Sequence, residues 1–233
     1  MPLVSVIIPT LNEEKNLGRL LDQLPAVCAD ISYEVVVVDA DSHDYTTRVA
    51  SQHGARVVET TKGNRGRQLR LGVRHSCGEY LWFLHADVQL RAYPHLGRRL
   101  TRAVDGGAVA ACLRLNYVQS GFFYRFLAVS SNWRARHLGL IFGDQGLFVS
   151  REMYDRVGGF PDEPLMEDWI LSKKLACCGY FAQLPDQIQA SNRKYAQHPW
   201  RVHAKLMGIK ALFLCGVSPQ ELAQLYYGKD RQQ

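Results

Sequence analysis

Apolar runs recur along the first half of the chain, and each is closed abruptly by polar or turn-forming residues. Val4–Pro9, Glu34–Asp39, Arg56–Glu59 and Tyr80–Leu84 read as strands. The segments between them, Glu13–Leu24, Thr46–His53 and Gln68–His75, carry the apolar spacing of helices. Nearly continuous apolar strands separated by amphipathic helices predict a largely parallel sheet covered on both faces. The class is therefore α/β.

The second half is less regular. Gly107–Leu115 reads as a strand, Phe122–Arg136 as an aromatic and basic helix, and Gly146–Ser150 as a short strand leading into a helix near Arg151. Val157-Gly158-Gly159-Phe160-Pro161 predicts a turn, and a helix begins after Pro164 with Leu171 and Leu175 on one face. Two closing helices are expected over His198–Cys215 and Pro219–Tyr227. Ser218, Pro219 and Glu221 supply the start signals of the second. No repeat or linker divides the chain, so one domain is expected over residues 1–233.

Chemistry concentrates where the strands end. Tyr80–Leu84 runs into His85-Ala86-Asp87, and in open α/β sheets ligands gather outside such strand ends, where these two side chains can hold a divalent cation. Asp39 closes Val35–Val38 and is placed to accept a hydrogen bond from a base N–H or a ribose hydroxyl. Asp44 precedes a helix and reads as its cap. Far along the chain Glu167 and Asp168 open a helix, whose dipole favours an ionised carboxylate. Asp144 lies between Gly143 and Gly146, in a loop free to approach a substrate closely. Arg193, in Asn192-Arg193-Lys194-Tyr195, suits a diphosphate. Neither a Gly-x-Gly-x-x-Gly turn nor a P-loop follows the first strand, which argues against dinucleotide-binding, ATPase and kinase readings.

Taken in order, Val6-Ile7-Ile8-Pro9-Thr10-Leu11-Asn12-Glu13-Glu14, Val36-Val37-Val38-Asp39-Ala40-Asp41-Ser42, Phe83-Leu84-His85-Ala86-Asp87, Gly143-Asp144-Gln145-Gly146 and Leu165-Met166-Glu167-Asp168 resemble a family 2 glycosyltransferase of the GT-A type. The Leu-His-Ala-Asp version resembles a subgroup labelled radical-SAM-associated or arsenosugar-biosynthesis glycosyltransferases. The resemblance implies a single GT-A type nucleotide-diphospho-sugar transferase domain, with a mostly parallel central sheet flanked by helices and a helical C-terminal segment. Its nucleotide-binding half would be residues 1–90, its acceptor-side half 91–195, and its C-terminal helices 196–233.

Position by position, the resemblance implies that Thr10, Asn12, Glu13, Asp39, Arg67 and His85 line the nucleotide site. Asp87 would bind a divalent metal, Mn or Mg, that bridges the phosphates. Gly143, Gln145 and Arg193 would form the acceptor or diphosphate loops. Asp168, with Glu167 and Asp144 beside it, would supply the catalytic base of an inverting transfer to an unknown hydroxyl, on a small-molecule or lipid-linked acceptor. His85 and Ala40 stand where the family carries carboxylates. The alternatives are a degenerate nucleotide-sugar-binding protein and, from another class, a nucleotidyltransferase.

Composition narrows the setting. The net charge of +6 and the arginines near Arg98 and Arg193 suit an anionic ligand or a membrane surface, but no nucleic-acid motif appears. No stretch reaches the ~20 apolar residues that span a bilayer. The six cysteines lack zinc spacing, so a reduced cytoplasm is expected, and Cys177 and Cys178 read as core packing. The aromatics Phe122, Phe123, Tyr124, Phe126 and Trp133 read as core too, a peripheral membrane contact being the alternative. Oligomeric state is not encoded in any pattern found.

Overall fold

In the computed structural model, which describes residues 3–61, 64–91 and 93–228, the apolar runs become β1 (Val4–Thr10), β2 (Tyr33–Asp39), β3 (Arg56–Glu59) and β4 (Tyr80–Phe83). Between them lie α1 (Glu14–Val27), α2 (Thr46–Gln52) and α3 (Arg65–Arg74). The remainder comprises β5 (Gln89–Leu90), α4 (Leu96–Asp105), β6 (Ala110–Tyr117), α5 (Phe122–Leu138), β7 (Phe148–Ser150), α6 (Arg151–Arg156), α7 (Glu167–Ala176), β8 (Phe181–Ala190), α8 (Pro199–Leu214) and α9 (Pro219–Tyr227). Gly143–Gln145 and Arg193–Tyr195 form single turns of 3-10 helix.

The strands make one mixed sheet in the order β3-β2-β1-β4-β7-β6-β8-β5. β3, β2, β1 and β4 run parallel, as do β6 and β8, whereas β7 is antiparallel to both its neighbours and β5 is antiparallel to β8. Val4, Val6, Ile7 and Ile8 are all fully buried, as a strand covered on both faces requires. One core cluster joins Leu17, Leu20 and Leu24 of α1 to Trp82 and Phe148; the other joins Leu69 of α3 and Leu171 and Leu175 of α7 to Phe83 and Phe160. A Cβ on Gly72 would lie 2.5 Å from Ile7 Cγ2, so α3 sits against β1 only because that residue lacks a side chain.

Two expectations fail here. Cys177 and Cys178 are exposed, because α7 ends at Ala176 and the chain turns outward before β8. Of the aromatics on α5, Phe123 is buried but Phe122, Phe126 and Trp133 face outward, because only one side of the helix meets the sheet. Among the described residues, no helix is long and apolar enough to cross a membrane.

Candidate active site

The carboxyl ends of β1 and β2 are tied together by their own side chains. Thr10 Oγ1 donates to Asp39 Oδ1 at 2.8 Å, and Ser42 donates to the same carboxylate from its backbone N (2.8 Å) and its Oγ (2.6 Å). A carboxylate offers about four lone-pair sites, so Asp39, although buried, keeps acceptor capacity for a ligand. Gln68 of α3 donates to the carbonyls of Thr10 (3.0 Å) and Val38 (2.8 Å), joining both strand ends from below. Asn12, at a left-handed φ of 55°, gives its N–H to Ser42 Oγ and accepts from the His43 N–H, each at 2.8 Å. Asn tolerates that backbone region better than most residues.

Beyond β4, Asp87 meets two residues remote in sequence. Arg193 Nη2 lies 3.1 Å from Asp87 Oδ2 and 2.5 Å from Glu13 Oε1, so one guanidinium bridges the carboxylates that leave β4 and β1. Burial pushes the Asp87 carboxyl up, against the lowering effect of Arg193, and the bond to Glu13 holds the Arg193 guanidinium above its usual range. The place is thus one where two carboxylates require a cation. No cluster of three or more His, Cys, Asp or Glu side chains forms a metal cage among the described residues. A magnesium-like ion needs only one or two carboxylates when substrate phosphates complete its shell, and Asp87 with Glu13 fits that arrangement.

The second carboxylate centre sits at the start of α7. Asp168 Oδ2 accepts the Gly143 N–H at 3.0 Å and lies 3.4 Å from Arg65 Nη2, and Arg65 is also paired with buried Glu167. Burial first, and the neighbouring Glu167 second, raise the Asp168 carboxyl to about 7, against the opposing pull of Arg65. Desolvation therefore outweighs the helix dipole, which was expected to favour the ionised carboxylate. Met166, at φ 67°, caps the helix without a side-chain bond. The Asp168 backbone thus starts a helix whose first turn faces Gly143 and Arg65 rather than solvent.

Between the two centres stands His85. A Cβ on Gly143 would fall 2.1 Å from His85 Nε2, so the imidazole lies directly against that glycine, whose N–H serves Asp168. Burial, then Arg65, lowers the His85 pKa to about 3, leaving a neutral ring. Its enclosed Nε2 has no hydrogen-bond partner among the described residues, nor do Asp144 Oδ1 and Gln145 Nε2 in the adjoining turn. Unpartnered buried polar atoms are scarce in folded proteins, and three of them ring this turn. Arg134 of α5 reaches Gln145 Oε1 (3.3 Å) and the Leu140 carbonyl (3.1 Å), with its guanidinium 3.7 Å from the Phe142 ring centre. Lys210 of α8 stands 4.9 Å from the same ring, and burial lowers it to about 8.

Of the residues singled out from the sequence, Thr10 meets Asp39, Arg193 meets both Glu13 and Asp87, and Gly143 meets His85 and Asp168. Arg67 joins neither centre: it is exposed, and its backbone N–H bonds Asn64 Oδ1. Its neighbour Arg65 is the arginine that reaches the carboxylates, and sequence reasoning passed over it, as it did Gln68, Arg134 and Lys210. Arg134 carried a usable signal, since it lies two helical turns beyond buried Leu127 and three beyond buried Phe123, on their face.

Residues 5–157 match the family model described as glycosyl transferase family 2. The chain is 31% identical over 168 residues to a dolichol-phosphate mannosyltransferase of Pyrococcus furiosus, an alignment that covers 67% of this chain and 45% of that protein. It is 33% identical over 129 residues to an undecaprenyl-phosphate 4-deoxy-4-formamido-L-arabinose transferase of Aeromonas hydrophila, covering 52% and 39% of the two. It thus spans less than half the length of these curated relatives. A mannosyltransferase from Pyrobaculum calidifontis, solved in complex with GDP-Man and Mn2+, superposes with a TM-score of 0.68 at 23% identity over 97% of this chain and 70% of its own. That likeness establishes the GT-A type fold.

Proposed function

The chain belongs to glycosyl transferase family 2, and from that premise we propose that it moves a sugar from a nucleoside-diphosphate donor to an acceptor hydroxyl with inversion at the anomeric carbon. The observation that carries the reading is that His85, two residues before Asp87, lies against Gly143, whose N–H bonds Asp168. This supports a reading in which the cation held near Asp87 and the proton acceptor Asp168 serve one substrate.

Thr10, Asn12 and Asp39 would face the nucleoside, with Asp39 accepting from the base or ribose. Asp87, helped by Glu13, would hold a divalent ion, which when bound supplies Lewis-acid stabilisation of the departing diphosphate. The mannosyltransferase was solved in complex with both GDP-Man and Mn2+, in keeping with that assignment. Arg193, released from the two carboxylates, would turn to the phosphate oxygens, for which a guanidinium is well matched. Asp168 would take the acceptor proton as the new C–O bond forms, while the bond from the anomeric carbon to the phosphate oxygen breaks and the diphosphate departs with the electron pair. A single displacement of this kind inverts the centre. A base whose pKa lies near the working pH combines availability with driving force, and Asp168 at about 7 meets that condition. Relatives named for dolichol phosphate and undecaprenyl phosphate favour a lipid-linked acceptor over a small soluble one.

Two variants test the division of labour. Asp87→Asn should abolish Mn-dependent binding of nucleoside diphosphates in a thermal-shift panel. Asp168→Asn should bind them normally and lose donor turnover by roughly 10²–10⁴. Turnover at the wild-type rate by Asp168→Asn overturns the base assignment.

A further inference from the structure

α5 has two unlike faces. Phe123, Leu127, Ala128 and Ala135 are buried, and Asn132 locks the helix to β6 by bonding both the N–H (2.7 Å) and the carbonyl (2.9 Å) of Leu115. The opposite face carries Phe122, Phe126, Val129 and Trp133, which are 80%, 43%, 70% and 55% exposed. Spacings of four, three and four residues put them on a single stripe. With Arg125 and Ser130 they line a shallow groove of about 660 Å³. The stripe continues onto α8, where Trp200, 54% exposed, stands 6.1 Å from the Phe126 ring. Contiguous exposed apolar surface of this kind marks a contact with another molecule or a membrane.

Charge selects among the occupants. Neither α5 nor α8 contains an Asp or Glu, while Arg125, Arg136, Arg201 and Lys205 are exposed on them. Arg125 and Arg136 follow Phe122 and Trp133 by three residues each and so flank the stripe. A second copy of the chain packed face to face about a two-fold axis would set these arginines against each other with no carboxylate from either helix to offset them. An anionic lipid surface answers both features at once, with rings at the boundary between headgroups and acyl chains and guanidinium groups on the phosphates.

We propose that the outer face of α5, extended by the start of α8, docks this protein on an anionic lipid bilayer. The inference goes beyond the transfer reaction and does not depend on it. The docking helix is also a wall of the site: Phe123 packs on Tyr195 at 5.4 Å, beside Arg193, and Arg134 reaches Gln145 from the same helix. Docking on this face therefore sets the turns at Gly143–Gln145 and Arg193–Tyr195 close to the lipid headgroups.

The test is co-sedimentation of the full chain with phosphatidylcholine vesicles that contain or lack phosphatidylglycerol, at low and high salt. Binding should require the anionic lipid, weaken with salt, and fall more than tenfold in Phe122→Ser/Trp133→Ser and in Arg125→Glu/Arg136→Glu. All four positions are exposed, so an unchanged melting temperature is expected for both variants. A second measurement needs no variant. Trp133 and Trp200 are exposed while Trp82 and Trp169 are buried, so quenching of wild-type emission by lipids brominated along the acyl chain reports this face alone. Absence of vesicle binding, undiminished binding by either double variant, absence of quenching, or a stable dimer that hides the stripe in vesicle-free solution would each overturn the proposal.

Discussion

Glu167→Gln isolates the electrostatics of the proposed base. In the wild type burial first, then the adjacent Glu167 carboxylate and least Asp144, lift the Asp168 carboxyl to about 7, while Arg65 at 3.4 Å and the Gly143 N–H at 3.0 Å pull it down. Turnover should therefore rise through an acid limb centred near 7, and at one unit below that midpoint roughly one molecule in ten carries an ionised base. Substituting Gln removes a like charge, keeps nearly the same shape, and leaves Arg65 free to serve Asp168 alone. Like charges in close contact shift a carboxyl by about one unit or more. The limb should accordingly move at least about one unit toward acid, and turnover at pH 6 should rise relative to its plateau. The assay is the pH profile of kcat for donor turnover, between pH 5 and 9, at saturating nucleotide sugar. A limb that stays in place or moves toward higher pH refutes the claim that Glu167 holds the base near neutrality.

Other outcomes follow from the same coordinates. Asp168 folds with a raised pKa, so the protonated form is favoured in the native state and its contribution to stability declines as pH rises from about 4 to about 7; relative to the wild type, Asp168→Asn should be more stable at pH 8 than at pH 5 by at most about 3 kcal/mol, as urea unfolding at the two pH values would show. His85, held near 3, should give no imidazole titration above pH 5 by NMR, and a midpoint near its ordinary value of about 6.5 would contradict its enclosure. Arg193→Ala leaves Glu13 and Asp87 without their cation, so Mn2+ alone should bind up to about fivefold more tightly, while Mn2+ with a nucleoside diphosphate should bind more weakly, both read by paramagnetic resonance titration. Gly143→Ala drives a methyl group into the imidazole of His85 and should cost about 1–3 kcal/mol in thermal unfolding.

The first half of the fold was legible because its signals are local: each apolar strand ends in an aspartate or a turn, and each helix between them shows a clear face. β8 was not foreseen. Its segment holds Pro185 amid glutamines and was assigned no element, yet Asp186, Ile188 and Ala190 are buried in alternation. The pairing with β6 slips between Leu113 and Arg114, whose partners are Leu184 and Gln187, and Pro185 falls within that irregularity, where a missing N–H is tolerated. α4 was not foreseen either: it begins at a left-handed His95 with no side-chain cap, although buried Leu96 and Leu100 stand one turn apart on its inner face. In the site, motif order pointed to Asp39, Asp87 and Asp168. The partners that tune them, Arg65 at the head of α3 and Arg193 far down the chain, are set by tertiary packing, which no spacing along the sequence records.

The mutual bonding of Asn12 with Ser42 and His43 has a practical corollary for redesign. Neither connection leaving the first two strands can be grafted from another transferase alone, since each completes the other's polar groups and a lone exchange would strand donors at the strand ends. An engineer altering either loop must transplant the pair as one cassette.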